Sequence, residues 1–205
     1  MTAPATHARF LIVGPQGSGK GTQGIIVARA FGVPQVATGD IFRANVAGGT
    51  ELGARVQAII EAGNLVPDEL TSELVRDRLA QPDAANGFVL DGYPRNRGQV
   101  ADLDAFLTPR DEQLDAVIEL AVPRDESISR LLQRATEQGR TDDTEEVISK
   151  RLEIYERETA PILDDYRSRG LVVRVDGVGT LDEVTERIFS ALAARGLVAA
   201  HPGAA

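Results

Sequence analysis

At 205 residues the chain is long enough for one well-buried core, since a domain takes roughly 100 to 200 residues, and 42% hydrophobic with 26% charged residues is an ordinary globular balance. A formal net charge of -9 argues against nucleic acid or an anionic membrane as a partner, because such partners are usually met by a broad basic surface. Zero cysteines exclude disulfides, thiolate metal sites and cysteine nucleophiles, and the two histidines, His7 and His201, lie near the ends, so the chemistry falls to Lys, Arg, Asp and backbone.

Met1 to Arg9 lacks the basic start and apolar centre of a signal peptide, and no apolar stretch approaches the ~20 residues that span a bilayer, so a cytoplasmic protein is expected. Arg9 to Val13 reads as a buried strand, followed by a glycine-rich loop and a helix from about Gly21 to Ala30. Pro34 to Ala37, Gly87 to Leu90, Ala116 to Val122 and Leu171 to Val175 are further strand candidates. Between them lie helical stripes: Leu52, Val56, Ile59 and Ile60; Leu70, Leu74 and Leu79; and Ile128, Leu131, Leu132 and Ala135, stopped by Gly139. The final helix is the best marked, with a Thr180 and Glu183 capping box ahead of Leu181, Val184, Ile188 and Leu192.

Short apolar strands alternating with helices predict an α/β fold, a five-stranded parallel sheet with helices on both faces. The expected organisation is one domain with a core of 9–37, 67–132 and 144–196. Residues 38–66, helical without a strand, and the polar run 133–143 are two excursions from it, and 197–205 is a poorly ordered tail.

Three motifs carry chemistry. GPQGSGKGTQ, residues 14 to 23, follows the first strand and opens a helix with phosphate-loop spacing. Its glycines let successive N–H groups point inward, the helix start adds its positive dipole end, and Lys20 supplies a mobile charge to the β- and γ-phosphates. A glycine-rich turn after a strand is common by itself; here strand, spacing, lysine and helix coincide. The second motif, Gly87-Phe88-Val89-Leu90-Asp91-Gly92-Tyr93-Pro94-Arg95, ends an apolar strand in Asp91 at the carboxyl edge of the sheet, where ligands bind in open α/β folds. Such a carboxylate can cap a turn, or it can hold Mg²⁺ through water; beside a phosphate loop the metal role is preferred. The third is a set of arginines, Arg130, Arg134, Arg140 and Arg151, the first two on one helix face. Guanidinium forks bind phosphate oxygens, although each taken singly reads more readily as a solvated arginine paired with one of the many nearby acids.

Together GPQGSGKGTQ, ATGDIFR, NLVPDEL, DGYPRNRGQ and RLLQRATEQGRTDD resemble the adenylate kinases, and the similarity runs from about Arg9 to Leu192. The resemblance implies a P-loop NTPase core with a small monophosphate-binding excursion and a short lid without zinc. It implies reversible Mg²⁺-dependent phosphoryl transfer from ATP to AMP giving two ADP, in the service of adenine nucleotide homeostasis; a monomer is the default expectation, because the sequence leaves no long apolar stripe unexplained. By the same resemblance Gly17, Ser18, Gly19, Lys20, Gly21 and Thr22 wrap the ATP phosphates, Arg130 and Arg134 clamp ATP, and Gly179 meets its base. Thr38, Arg43, Asn64, Leu65, Val66, Gly92, Tyr93, Pro94, Arg95 and Gln99 take AMP, with Arg95 on its phosphate and Gln99 on the adenine edge. Arg140 and Arg151 bridge both nucleotides, Asp91 holds the hydrated magnesium, and Lys20, Arg95, Arg130, Arg140 and Arg151 serve catalysis.

Gln16 stands where that family usually has proline, which implies a less rigid loop, and Arg97 has no assigned role. A UMP/CMP kinase of the same fold is one alternative, opposed by Thr38 and Gln99; a non-catalytic adenine nucleotide sensor is another, opposed by the intact Lys20 and arginines. A regulatory GTPase is opposed more strongly still, by the lack of an Asn-Lys-x-Asp motif.

Overall fold

The computed structural model describes residues 7–138 and 144–199. Five strands, β1 (Ala8–Val13), β2 (Gln35–Ala37), β3 (Gly87–Asp91), β4 (Ala116–Ala121) and β5 (Val172–Asp176), form one parallel sheet in the order β2-β3-β1-β4-β5. They fall where the apolar runs place them, with shifts of a residue at the ends. The helices are α1 (Lys20–Phe31), α2 (Thr38–Ala47), α3 (Glu51–Glu61), α4 (Asp68–Leu79), α5 (Arg97–Leu107), α6 (Arg124–Gln138), α7 (Glu145–Ile154), α8 (Ile162–Ser168) and α9 (Leu181–Ala193).

Side chains alternate across a strand, so each strand feeds two cores. Along β1, Leu11 and Val13 pack with Val100 and Leu103 of α5 and Tyr166 of α8. Phe10 and Ile12 pack on the opposite face with Val27 and Phe31 of α1 and Ile188 and Leu192 of α9. Burial of each such side chain contributes about 1.5–3 kcal/mol, which makes the sheet and its two helical layers the rigid part of the molecule. The Thr180 and Glu183 capping box forms as the sequence expects.

Five expectations change. Leu70 and Leu74 do not share a face with Leu79: at 100° per residue, Leu74 and Leu79 lie about 140° apart. Leu70 and Leu74 therefore join the core of the 38–66 segment, while Val75 and Leu79 join the sheet core. Leu132, a third of a turn from the buried Leu131, points outward. Leu181 lies on the stripe of α9 but opens the helix, and its side chain, tilted toward the helix start, remains 49% exposed. Leu197 and Ala199 pack on the α1/α9 core, with Leu197 N–H bonded to Leu192 O at 3.1 Å, rather than opening a loose tail at 197. Residues 200–205 lie outside the described residues. Gln133 to Gln138 continue α6 rather than leaving the core at once.

The 38–66 segment folds on a small core of its own, Phe42, Val56 and Val66 with Leu52, Ile59 and Ile60 around them. Its helices approach so closely that a Cβ on Gly53 would sit 2.2 Å from the carbonyl oxygen of Asn45. Gly53→Val is expected to force α2 and α3 apart and to cost about 1–3 kcal/mol, read as a lower urea midpoint in equilibrium unfolding.

Candidate active site

Parallel pairing brings the carboxyl ends of β1, β2 and β3 to one edge. The register sets Ile12 against Asp91 and Ala37 against Asp91, so the loop after β1, the acid ending β3 and the start of α2 after β2 share one neighbourhood. Beyond that edge lies a cleft of about 470 Å³.

The loop from Gly14 to Gly19 curls by left-handed turns at Gly17 (φ 82°) and Gly19 (φ 89°). Gly19 caps α1 without a side chain, which leaves the first N–H groups of the helix open to a ligand. Gly17 is held by packing as well as by φ, since a Cβ there would lie 2.5 Å from the carbonyl oxygen of Ser127 on α6. The phosphate loop is thereby seated against the helix that carries Arg130 and Arg134.

Lys20 reaches back to donate to the carbonyl of Pro15 at 2.9 Å. Burial pushes its ammonium down to about 8, opposed by the charge of Asp91 and reinforced by Arg95 and Arg134. Burial likewise raises the Asp91 carboxyl above its ordinary value, against the pull of Lys20 and Arg95, and lowers the Arg95 guanidinium, against the pull of Asp91. All three shifts have one physical cause, charges withdrawn from water faster than their partners compensate.

The cleft brings together Gly17, Gly19, Lys20, Gly21, Thr22, Thr38, Arg43, Asn64, Leu65, Val66, Asp91, Gly92, Pro94, Arg95, Gln99, Arg130, Arg134 and Arg151. Thr38 donates to Gly92 O at 3.1 Å and Arg95 Nε to the same carbonyl at 2.7 Å. Arg43 pairs with Asp40. Arg130 spans from Glu126, at 2.6 Å, to Gly177 O, at 3.1 Å, and Arg151 donates to Ile60 O at 3.2 Å.

Three expected residues are not on its wall. Tyr93 turns into the core, where it packs in the cluster of α4 and α5 with its hydroxyl 3.0 Å from Ser72 Oγ. Gly179 is exposed in the β5–α9 loop, and the Ser18 side chain is buried behind the phosphate loop. Arg140 lies outside the described residues.

Gln16 lines the cleft, with its Oε1 buried and unpartnered. Arg97 is exposed and faces Asp165 of α8 at 3.4 Å, away from the cleft wall. The sequence reading missed Asp40, which lines the cleft and adds to the raised carboxyl of Asp91. Its position within ATGDIFR was the available signal.

Comparison with known proteins agrees with this geometry. A family model described as adenylate kinase matches residues 12–171. The chain belongs to the adenylate kinase family. It is 57% identical to the adenylate kinase of Clavibacter michiganensis over 92% of this chain and 94% of that protein. The adenylate kinase of Kocuria rhizophila is 55% identical over 90% of this chain and 98% of its own length, and that of Bifidobacterium longum 54% identical over 90% and 99%. Membership in the adenylate kinase family accords with a five-stranded parallel P-loop core flanked by helices.

Lys20 gives the ligand-free fold a distinctive pH response. Its folded pKa of about 8 lies below the free value of 10.5, so the unfolded chain holds more protons in that window and stability rises with pH across it. The gain from Lys20 is expected to be on the order of 1 kcal/mol between pH 8 and 10. It is measured as the difference between wild type and Lys20→Met in urea unfolding at several pH values. Above pH ~10 the half-buried phenol of Tyr155, pushed up to about 12, drives the slope the other way.

Proposed function

We propose that this chain catalyses reversible phosphoryl transfer between ATP and AMP, forming two ADP. The observation that carries the reading is the convergence of an open helix start, Lys20, Arg43, Arg95, Arg130, Arg134 and Arg151 on one cleft in a protein of net charge -9. A positive site inside an acidic molecule fits small polyanions rather than a polymer. The names of the relatives support adenine nucleotides as those anions.

The N–H groups of the phosphate loop and of the start of α1 cradle the inner phosphates of ATP, and Lys20 reaches the β- and γ-phosphates, which leaves the γ-phosphoryl group open to the acceptor. Arg95 takes the phosphate of AMP, Arg130 and Arg134 clamp ATP, and Arg151, with Arg140 from the short lid, bridges the two nucleotides. An oxygen of the AMP phosphate attacks the γ-phosphorus in line, that bond forms, and the bond to the β–γ bridging oxygen breaks to release ADP. The attacking oxygen is already anionic, so no protein base is needed. Catalysis consists of alignment and stabilisation of charge spread over a loose transition state. Residues 38–66 receive AMP, with Thr38 and Gln99 favouring adenine, while lid closure excludes water as a competing acceptor.

The donor set fits magnesium. Among the described residues no three His, Cys, Asp or Glu side chains converge, which disfavours an all-protein cage. Asp91, with Asp40 near it, offers the one or two carboxylates by which a nucleotide-borne hydrated ion is usually held. When bound, the ion neutralises charge on the β- and γ-phosphates. A monomer in the cytoplasm is part of the same proposal; among the described residues no helix is long and apolar enough to cross a membrane.

The deciding experiment is ADP formation from MgATP with AMP, CMP, UMP or GMP as acceptor, beside an ATP-only control. Strong turnover with AMP is expected, with little from the other acceptors or the control. Preference for CMP or UMP would leave the mechanism standing and reverse the base assignment; ATP binding without turnover would favour a sensor. Lys20→Met is expected to lower kcat by about 10²-fold or more with the circular dichroism spectrum unchanged, and near-normal turnover would remove Lys20 from its assigned role.

A further inference from the structure

Gln99 is 2% exposed, yet its side chain lines the cleft. Both ends of its carboxamide are already engaged. Oε1 accepts from the backbone N–H of Arg95 at 2.8 Å, and Nε2 donates to Asp68 Oδ1 at 2.7 Å. Exchanging oxygen and nitrogen would set two oxygens face to face on one side and two N–H donors face to face on the other. The carboxamide therefore has a single stable orientation.

Asp68 is itself fixed. It is the first residue of α4, where the helix start favours negative charge, and Asn96 Nδ2 donates to its two oxygens at 2.9 and 3.0 Å. Asn96 Oδ1 in turn accepts from the backbone N–H of Gln99 at 2.9 Å, closing a ring of polar contacts between α4 and α5. Asp68 is exposed and does not line the cleft.

What remains to Gln99 is one lone pair on Oε1 and one N–H on Nε2. A 6-aminopurine presents an N–H donor beside a ring-nitrogen acceptor. A 6-oxopurine presents the inverse, an oxygen acceptor beside an N–H donor. A carboxamide held one way round matches only one of these patterns; a carboxamide free to rotate can match either.

We propose that Asp68 is a positioning residue that sets acceptor selectivity by locking Gln99 in the orientation that reads a 6-aminopurine. This rests on the reading of the cleft as an AMP site with Gln99 on the base edge. Asp68 never touches the nucleotide; it acts through the direction of the Gln99 amide.

The test is kcat/KM for AMP and for inosine 5′-monophosphate at saturating MgATP, in wild type, Asp68→Ala, Asp68→Asn and Gln99→Leu. Asp68→Ala is expected to lower the AMP-to-inosine ratio about tenfold, ~1.4 kcal/mol, while the KM for ATP stays unchanged. Asp68→Asn keeps an oxygen for Nε2 and should hold the ratio within about twofold of wild type. The ratio is also read in Asp68→Ser, whose hydroxyl stops a bond short of Gln99, so that poor folding of one variant does not decide the matter. If AMP and inosine efficiencies fall together with the ratio intact, Asp68 is merely structural and the inference is overturned. If wild type lacks the preference, or Gln99→Leu keeps it, the base-reading role of Gln99 fails and the inference falls with it.

Discussion

The parallel pairing of β1 with β3 is the constraint on which the site depends. It fixes Ile12 beside Asp91, and because both chains leave the sheet at the same edge, the loop that follows β1 and the turn that follows β3 must share one space. β2, paired to β3 on its other side, delivers Thr38 to the same edge. A shift of β3 by one residue would carry Asp91 off the cleft and turn Phe88 and Leu90 to the opposite core. The two apolar layers therefore hold the chemistry in register although none of their side chains takes part in it.

The electrostatics of the cleft follow from that placement. Lys20, Asp91 and Arg95 are brought together with too little water and too few countercharges, and each is moved toward its neutral form. A fold selected for stability alone would do better with apolar residues at such positions. Cations held in a half-dehydrated setting interact more strongly with an incoming polyanion than solvated ones. The strain in the free protein is thus relieved by the ligand the site is built to receive, which is how a preformed phosphoryl-transfer site is expected to look.

Much of this was legible in the chain. The five strands, the phosphate loop and the final capped helix followed from apolar runs, glycine spacing and one capping box, all local signals. The errors share a different origin. Leu74 and Leu79 were placed on one stripe because spacing shows that residues are apolar without showing which of two cores they enter. Leu181 fits the stripe of α9 and still faces water, because pattern does not say where a helix outruns its neighbour. Tyr93 sits inside a motif whose flanking residues line the cleft, yet points away from it. Asp40 and Asp68 lay within motifs already singled out, but their importance depends on contacts made across the fold, such as that of Asp68 with Gln99, 31 residues on.

The placement of α4 joins these observations. Its Leu70 and Leu74 complete the small core of the excursion, while Val75 and Leu79 anchor it in the main core. One helix thus belongs to two packing units of unequal strength. The smaller unit holds three buried apolar side chains, Phe42, Val56 and Val66, against a far larger set around the sheet, and low local packing is where a protein opens first. Movement of the excursion for nucleotide entry would therefore cost little in the main core, provided α4 stays seated. Asp68 stands at the first turn of that helix and is tied across to Asn96 and Gln99 on α5. Gln99, the residue proposed to read the base, therefore belongs to the anchored side of the cleft, and the 38–66 segment would move against it without altering the direction in which Gln99 points.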